Sequence, residues 1–203
     1  MGHKQNSEKR TTMKTLHTTI LTLAVLLAAT FTLASCSSDD DNETVPSSIA
    51  TEMAGMYSNV ISYGENICLS TMLVTVTATD ASFSIPVREI LPSVMKDEDG
   101  LDEAKQTAKC SSVTAAYTPV RYHNSVATYV MPTQTLDFTY TVSGKSHRGS
   151  VTISTPSIAY NTSTRKLRFG FNVDAVALDG KTVSGYEQHQ VYMQECERIK
   201  TQN

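Results

Sequence analysis

The chain is 203 residues long, with a formal net charge of −3, four cysteines, nine tyrosines and no tryptophan. Beyond residue 35 the balance moves to −6, with 13 Lys and Arg against 19 Asp and Glu. That acidic balance disfavours nucleic acid as a partner, because neutralising phosphates needs a basic surface.

The first readable element is an export signal. If translation starts at Met13, Lys14 and His17 form a short positive region. An apolar run from Ile20 to Leu33 follows and ends in Leu33-Ala34-Ser35-Cys36. The run is shorter than the ~20 residues of a bilayer-crossing helix, and small residues before a cysteine read as a lipoprotein cleavage site. Residues 1–35 are thus expected to be a lipoprotein signal peptide, with 1–12 as extra upstream residues, and Cys36 as the lipidated residue. Several acyl chains on one cysteine hold a protein to a membrane essentially permanently, so the membrane is the first expected partner.

Residues 36–50 read as a flexible tether. Ser37-Ser38-Asp39-Asp40-Asp41 and the stretch around Pro46 have too little apolar surface to offset chain entropy. Acids soon after a lipidated cysteine resemble the surface-export signal of Bacteroidetes lipoproteins, although two serines intervene here. The expected location is the outer membrane, lipid-anchored, at the cell surface. A solvated acidic linker with no addressing role is the plainer reading.

From residue 51 to 203 the chain reads as one β-rich domain of about 150 residues, enough for its own core. Met56–Ile61 is a first strand, and Cys68–Thr79 a second, rich in β-branched residues. Phe83, Ile85 and Val87 continue the alternation. Between Arg88 and Lys109 the spacing turns helical: Ile90, Leu91, Val94 and Met95, then Leu101–Gln106 with acids in its first turn. Pro92 limits the first piece to a short turn of helix. Strands resume at Val113–Thr118 and Val126–Met131. Leu136, Phe138, Tyr140 and Val142 alternate with polar residues before the turn Ser143-Gly144-Lys145-Ser146, and Val151 and Ile153 follow it. Leu167, Phe169, Phe171 and Val173 precede Asp179-Gly180, a hairpin signal because both residues reach positive φ, and a return strand runs over Thr182–Tyr192. The fold class is mainly β: an antiparallel sandwich or incomplete barrel of eight or nine strands with one short helical insertion.

Few residues stand out for chemistry. With Cys36 lipidated, Cys68, Cys110 and Cys196 remain, an odd number in an oxidising location. Cys68–Cys196 is the favoured bridge if first and last strands pair, against three free thiols. No Cys-x-x-Cys, Gly-x-Ser-x-Gly, phosphate loop or His-Glu-x-x-His occurs, so no catalytic residue is nominated and an enzyme is not expected. No cofactor and no metal is expected either. Glu187 and His189 on one strand face would be two ligands without a third, and Asp97-Glu98-Asp99-Gly100 lacks the ligand spacing of a calcium loop. The densest polar and aromatic cluster, Arg121, Tyr122 and His123, is assigned to a loop after Pro119 and is the preferred ligand contact.

The Gly55-Met56-Tyr57 opening, the Leu136–Ile153 stretch with Ser-Gly-Lys-Ser-His, and Tyr160–Phe169 together resemble small Bacteroides lipoproteins, in the family called domain of unknown function 4840. The resemblance implies a cell-envelope location and carries no activity and no functional residue. The leading expectation is a surface-displayed binding or accessory module for a glycan, peptide or protein. The alternatives are a lipocalin-like carrier of a small ligand, faintly suggested by Gly55-x-Tyr57, and a structural partner in an envelope complex.

Overall fold

Period-two alternation governs most of the chain after Gly55, and in the computed structural model it folds into a curled antiparallel sheet. The structure describes residues 44–95 and 99–200, and among these are twelve strands and three helices. Helix α1 is Ser47–Met53. Strands β1 (Gly55–Tyr63), β2 (Asn66–Val76) and β3 (Asp80–Phe83) form a meander, followed by α2 (Val87–Val94) and α3 (Leu101–Thr107). Then come β4 (Lys109–Cys110), β5 (Val113–Ala116), β6 (Thr118–His123), β7 (Val126–Val130), β8 (Gln134–Val142), β9 (Lys145–Asn161), β10 (Lys166–Leu178), β11 (Lys181–Thr182) and β12 (His189–Cys196).

Neighbours across the sheet run β4-β8-β9-β10-β12-β1-β2-β3-β5, with β11 on β10 and the β6–β7 hairpin joined through β7 to β9. Strand β9 changes partner midway: up to Ile153 it pairs with β8, and from Ser157 it pairs with β7. The change falls at Thr155-Pro156, where Thr155 takes φ 48° and its hydroxyl accepts a 3.0 Å hydrogen bond from Asn172 Nδ2. A β-branched residue in the left-handed region is uncommon, and here it marks a bulge that bends the longest hairpin. At the other side β5 runs through Tyr117 directly into β6, so the chain itself spans the gap between the β3 and β7 sides. Tyr117 N–H donates to Thr79 O at 3.2 Å and its hydroxyl to Thr77 O at 2.7 Å, while its ring meets Tyr129 edge-on at 5.0 Å. The architecture is an incomplete barrel.

The concave face is the core. Phe83, Phe169 and Phe171 form a ring cluster with centroids 4.7–5.9 Å apart, surrounded by Tyr57, Ile61, Ile153, Ile158, Tyr160 and Leu167, all fully buried. Each such side chain contributes roughly 1.5–3 kcal/mol by leaving water. Helices stop both ends. At the end where β1 begins and β12 finishes, α1 buries Ile49 and Met53, one turn apart on the same face. Tyr57 donates to Met53 O at 2.7 Å, and Tyr160 to Glu52 Oε1 at 3.2 Å. At the other end α2 buries Val87, Ile90 and Leu91, and Ser93 Oγ shares a 3.0 Å hydrogen bond with the Tyr63 hydroxyl.

Several boundaries differ from the sequence reading. Residues 47–50, expected as the end of the tether, are helical because Ile49 finds a place under the barrel mouth. The helical insertion is two helices, and Pro92 sits inside α2 rather than limiting it to one turn. Pro92 gives up its own N–H bond and its ring crowds the Arg88 carbonyl one turn back, a cost that the three apolar residues buried beneath α2 offset. The return strand after Asp179-Gly180 is interrupted at Gly185, φ 70°, so that β11 is two residues long and β12 starts at His189. Strand β6, assigned to a loop, is a strand whose residues are mostly exposed and which therefore shows no alternation.

Candidate functional site

The sheet's edge near α3 carries a surface groove. Strand β4 pairs with β8 through Lys109↔Thr139 and Cys110↔Phe138, and β8 pairs with β9 through Thr139↔Arg148, Phe138↔Gly149 and Asp137↔Ser150. Because side chains alternate across a strand, Lys109, Thr139 and Arg148 form one outward row on three adjacent strands, with Asp137 and Ser150 in the next outward row. The groove has a volume of about 350 Å³ and is lined by Lys109, Cys110, Ser111, Asp137, Phe138, Thr139 and Arg148. That is within the range of small-ligand sites, which begins at roughly 300 Å³.

Phe138, which lines the groove, faces a glycine. A Cβ at Gly149 would collide with the Cζ end of the Phe138 ring, so only glycine lets that ring reach across from β8 to β9. Helix α3 closes the β8 edge above the groove. Glu103 accepts hydrogen bonds from the N–H groups of Ser143 (2.7 Å) and Gly144 (3.1 Å), and Thr107 Oγ1 accepts from Thr141 N–H at 2.8 Å. Backbone donors that β4 is too short to reach are thereby satisfied.

The groove's electrostatics are lopsided. Neither the Lys109 ammonium nor the Arg148 guanidinium has a hydrogen-bonded or ion-paired side-chain partner among the described residues, whereas Lys166 and Arg168 on β10 both meet Glu195. Asp137 supplies one exposed carboxylate. The Cys110 thiol contacts Ser111 O at 3.5 Å and Asp137 O at 3.6 Å, and burial, with Asp137 adding to it, pushes its pKa up. A thiol held protonated is a poor nucleophile.

The residues singled out from sequence fall elsewhere. Arg121, Tyr122 and His123 lie on β6, closed by an Asn124-Ser125 turn with φ 47° and 63°, the two-residue hairpin geometry. The expected loop is thus corrected to a strand. Tyr122 is half-buried, its hydroxyl 3.3 Å from Thr162 Oγ1. The hairpin meets β9 at Asn161, roughly 40 Å along the strand from Arg148, so the two places do not join.

The expected Cys68–Cys196 bridge is absent: Cys68, Cys110 and Cys196 are free thiols. First and last strands do pair, but Cys68 sits on β2, with β1 between it and Cys196 on β12. Two strand spacings are about 10 Å, beyond the ~7 Å that a disulfide spans between Cα atoms. Burial drives the Cys196 thiol up to about 11.

Glu187 precedes β12 rather than sharing its face with His189, whose ring packs against Tyr63 at 4.8 Å and Tyr186 at 5.7 Å. Among the described residues no three His, Cys, Asp or Glu side chains gather as a metal site. Cys36 and Asp97-Glu98 lie outside the described residues. The groove was missed in the sequence because its residues come from three strands and the residue after β4, separated by up to 39 positions and forming no motif.

An incomplete β-barrel stoppered by short helices, with a polar groove on its outer edge, is the class of protein that fold and site define. The chain belongs to the family described as a domain of unknown function (DUF4840), whose model matches residues 52–178. The match takes in every groove residue and ends before β11 and β12. No curated protein and no solved structure matches the chain.

Proposed function

We propose that the protein is a lipid-anchored cell-envelope binding module of Bacteroides type, displayed at the surface through Cys36, and that its ligand is a carboxylate-bearing sugar held in the β4–β8–β9 groove. The observation that carries this reading is the unpaired Lys109 and Arg148 side chains flanking Thr139. Two cations about 10 Å apart across the strands suit one anionic group between them. Asp137 and Ser111, which also line the groove, suit sugar hydroxyls, for which a carboxylate is a strong acceptor.

Two further features favour binding over catalysis. Asp137 is the one carboxylate lining the groove, whereas glycoside hydrolysis uses a pair, and the Cys110 thiol is held protonated. The carrier alternative is disfavoured because aromatic side chains fill the concave face and helices stop both ends. Among the described residues no helix is long and apolar enough to cross a membrane.

Titration calorimetry with glucuronic acid, glucose and inorganic phosphate tests the proposal. Binding of the acid, none of glucose, and at least about tenfold weaker binding after Lys109→Ala or Arg148→Ala are expected, since each removes a charge-assisted contact. An acidic-sugar panel that shows no binding, or affinity untouched by both substitutions, would overturn it.

A further inference from the structure

The two ends of the barrel carry opposite charge. At the α1 end, strand register brings together the β2–β3, β6–β7 and β9–β10 turns and the end of β12. Among the described residues this rim holds six cations, Arg121, Arg165, Lys166, Arg168, Arg198 and Lys200, against four acids. The α2 and α3 end reverses the balance, with eight acids, Glu65, Glu89 and Asp179 among them, against four cations. One rim is therefore net positive and the other net negative.

The positive rim keeps donors to spare. Glu195 is shared between Lys166 at 3.4 Å and Arg168 at 3.5 Å, and the Glu52 carboxylate meets Arg165 at 3.8 Å. These are surface contacts, worth little against solvent, and each guanidinium has five N–H groups, so the cations can take a further anion. Two large apolar side chains stand exposed among them: Ile199 lies between Arg198 and Lys200 in sequence, and Val120 precedes Arg121. Apolar tips interleaved with basic residues make a surface that lies on a membrane, the tips entering the headgroup boundary while the cations meet phosphates.

We infer, on the reading that Cys36 is lipidated, that this rim docks on the phosphates of an anionic membrane surface and stands the barrel with its β4–β8–β9 groove facing away. Thr44 is eight residues past Cys36, at most about 29 Å of chain, so an anchored chain keeps the α1 rim beside the bilayer. That nearness favours lipid over an acidic protein as the occupant, and Ile199 and Val120 suit the apolar side of the headgroup boundary. Arg148 lies roughly 40 Å along β9 from Asn161 at the rim, which leaves the groove open to solution. The docked rim thus orients the ligand site that the anchor alone would let tumble.

The test is hydrogen exchange of the full chain on vesicles of phosphatidylethanolamine with phosphatidylglycerol and, separately, of phosphatidylcholine alone. Backbone amides of 118–125 and 195–200 should exchange at least about fivefold more slowly on the anionic vesicles, the factor that roughly one cation near such a surface supplies, and those of 134–150 at one rate on both. Arg165→Gln with Arg168→Gln, both at exposed positions, should abolish the difference. Lys145→Gln with Lys181→Gln, an equal loss of charge at the opposite end, should leave it, with circular dichroism to check that each variant folds. Equal exchange on the two vesicles, or attachment to neither, overturns the inference. So does a difference that both double variants remove alike, which assigns it to net charge. Slowing by polyglutamate but not by anionic vesicles overturns it in favour of an acidic protein. The mass of the chain recovered from membranes reports separately on Cys36: an unmodified cysteine sinks the anchor, while the vesicle comparison still decides the rim.

Discussion

Arg198, two residues past β12, lays its guanidinium 6.0 Å from the centre of the Tyr57 ring, and its side chain fills the space where Gly55 would carry a Cβ. Its Nη2 also donates to Glu52 O and reaches the Tyr57 hydroxyl at 3.5 Å. The chain's last described segment is thereby clamped over its first strand and over α1, and Glu52 further holds Arg165 at 3.8 Å. Arg198→Ala should cost about 1–2 kcal/mol in urea unfolding, from one charged hydrogen bond and one cation–π contact. Gly55→Ala should cost a comparable amount by evicting the Arg198 stem. The two losses should be markedly non-additive, since both act through one contact. Independent, additive effects would show that the clamp is not what joins the two ends.

Gly149→Ala is predicted to be the more damaging glycine change. The added methyl meets the Phe138 ring rather than a flexible side chain, and Phe138 is buried against Tyr140 at 5.8 Å. Overpacking of this kind costs about 1–3 kcal/mol. It should also loosen the groove, because Phe138 and Gly149 sit opposite each other beneath it. Phe138→Leu in the same chain should recover part of the loss by making room. Denaturant midpoints of the two single variants and the double variant decide this: no recovery in the double variant would mean that backbone distortion, not the ring, sets the cost.

These two contacts show how far the sequence could be read. Alternation at Leu136–Val142 and Leu167–Val173 located β8 and β10, and the Asp179-Gly180 pair located a turn, because both signals are local. The reach of β9 to Asn161 was not local: it depends on Thr155 bending so that one strand serves two neighbours. Strand β6 had no alternation to show, its residues being exposed on both faces. The groove was illegible for a related reason. Lys109, Thr139 and Arg148 become neighbours only through strand register, and register is fixed by the whole barrel rather than by any one segment.

The His147–Asp179 pair predicts a pH dependence. His147 Nδ1 lies 2.7 Å from Asp179 Oδ2, and Arg148 N–H donates to Asp179 Oδ1 at 3.2 Å. The hydrogen bond from His147, then that from the Arg148 backbone, lowers the Asp179 pKa. A carboxyl depressed in the folded state contributes stability above its unfolded pKa of about 3.9, lost as pH falls through the folded value. In His147→Ala the Asp179 carboxyl should therefore titrate higher, towards its ordinary range, and the acid limb of the stability curve should flatten. Carbon-detected NMR titration of Asp179 reads this directly. An unchanged titration would assign the shift to the Arg148 backbone alone.

At alkaline pH the tyrosines should dominate. Of the nine tyrosines, Tyr63, Tyr117, Tyr129, Tyr160 and Tyr186 are all pushed up chiefly by burial, Tyr117 and Tyr160 to about 12. The Tyr160 hydroxyl has a second cause, the Glu52 carboxylate it donates to at 3.2 Å. A phenol raised in the folded state contributes stability that is complete below its unfolded pKa of about 10 and is lost as pH rises through the folded value. Stability should thus fall between about pH 10 and 12, with a late block of tyrosinate absorbance appearing together with loss of the folded circular dichroism signal. Tyr160→Phe should cost about 0.5–1.5 kcal/mol at neutral pH, by removing one hydrogen bond, yet flatten the alkaline limb. If the late tyrosines instead ionise while the fold is intact, water reaches the barrel interior and the helices do not seal its ends.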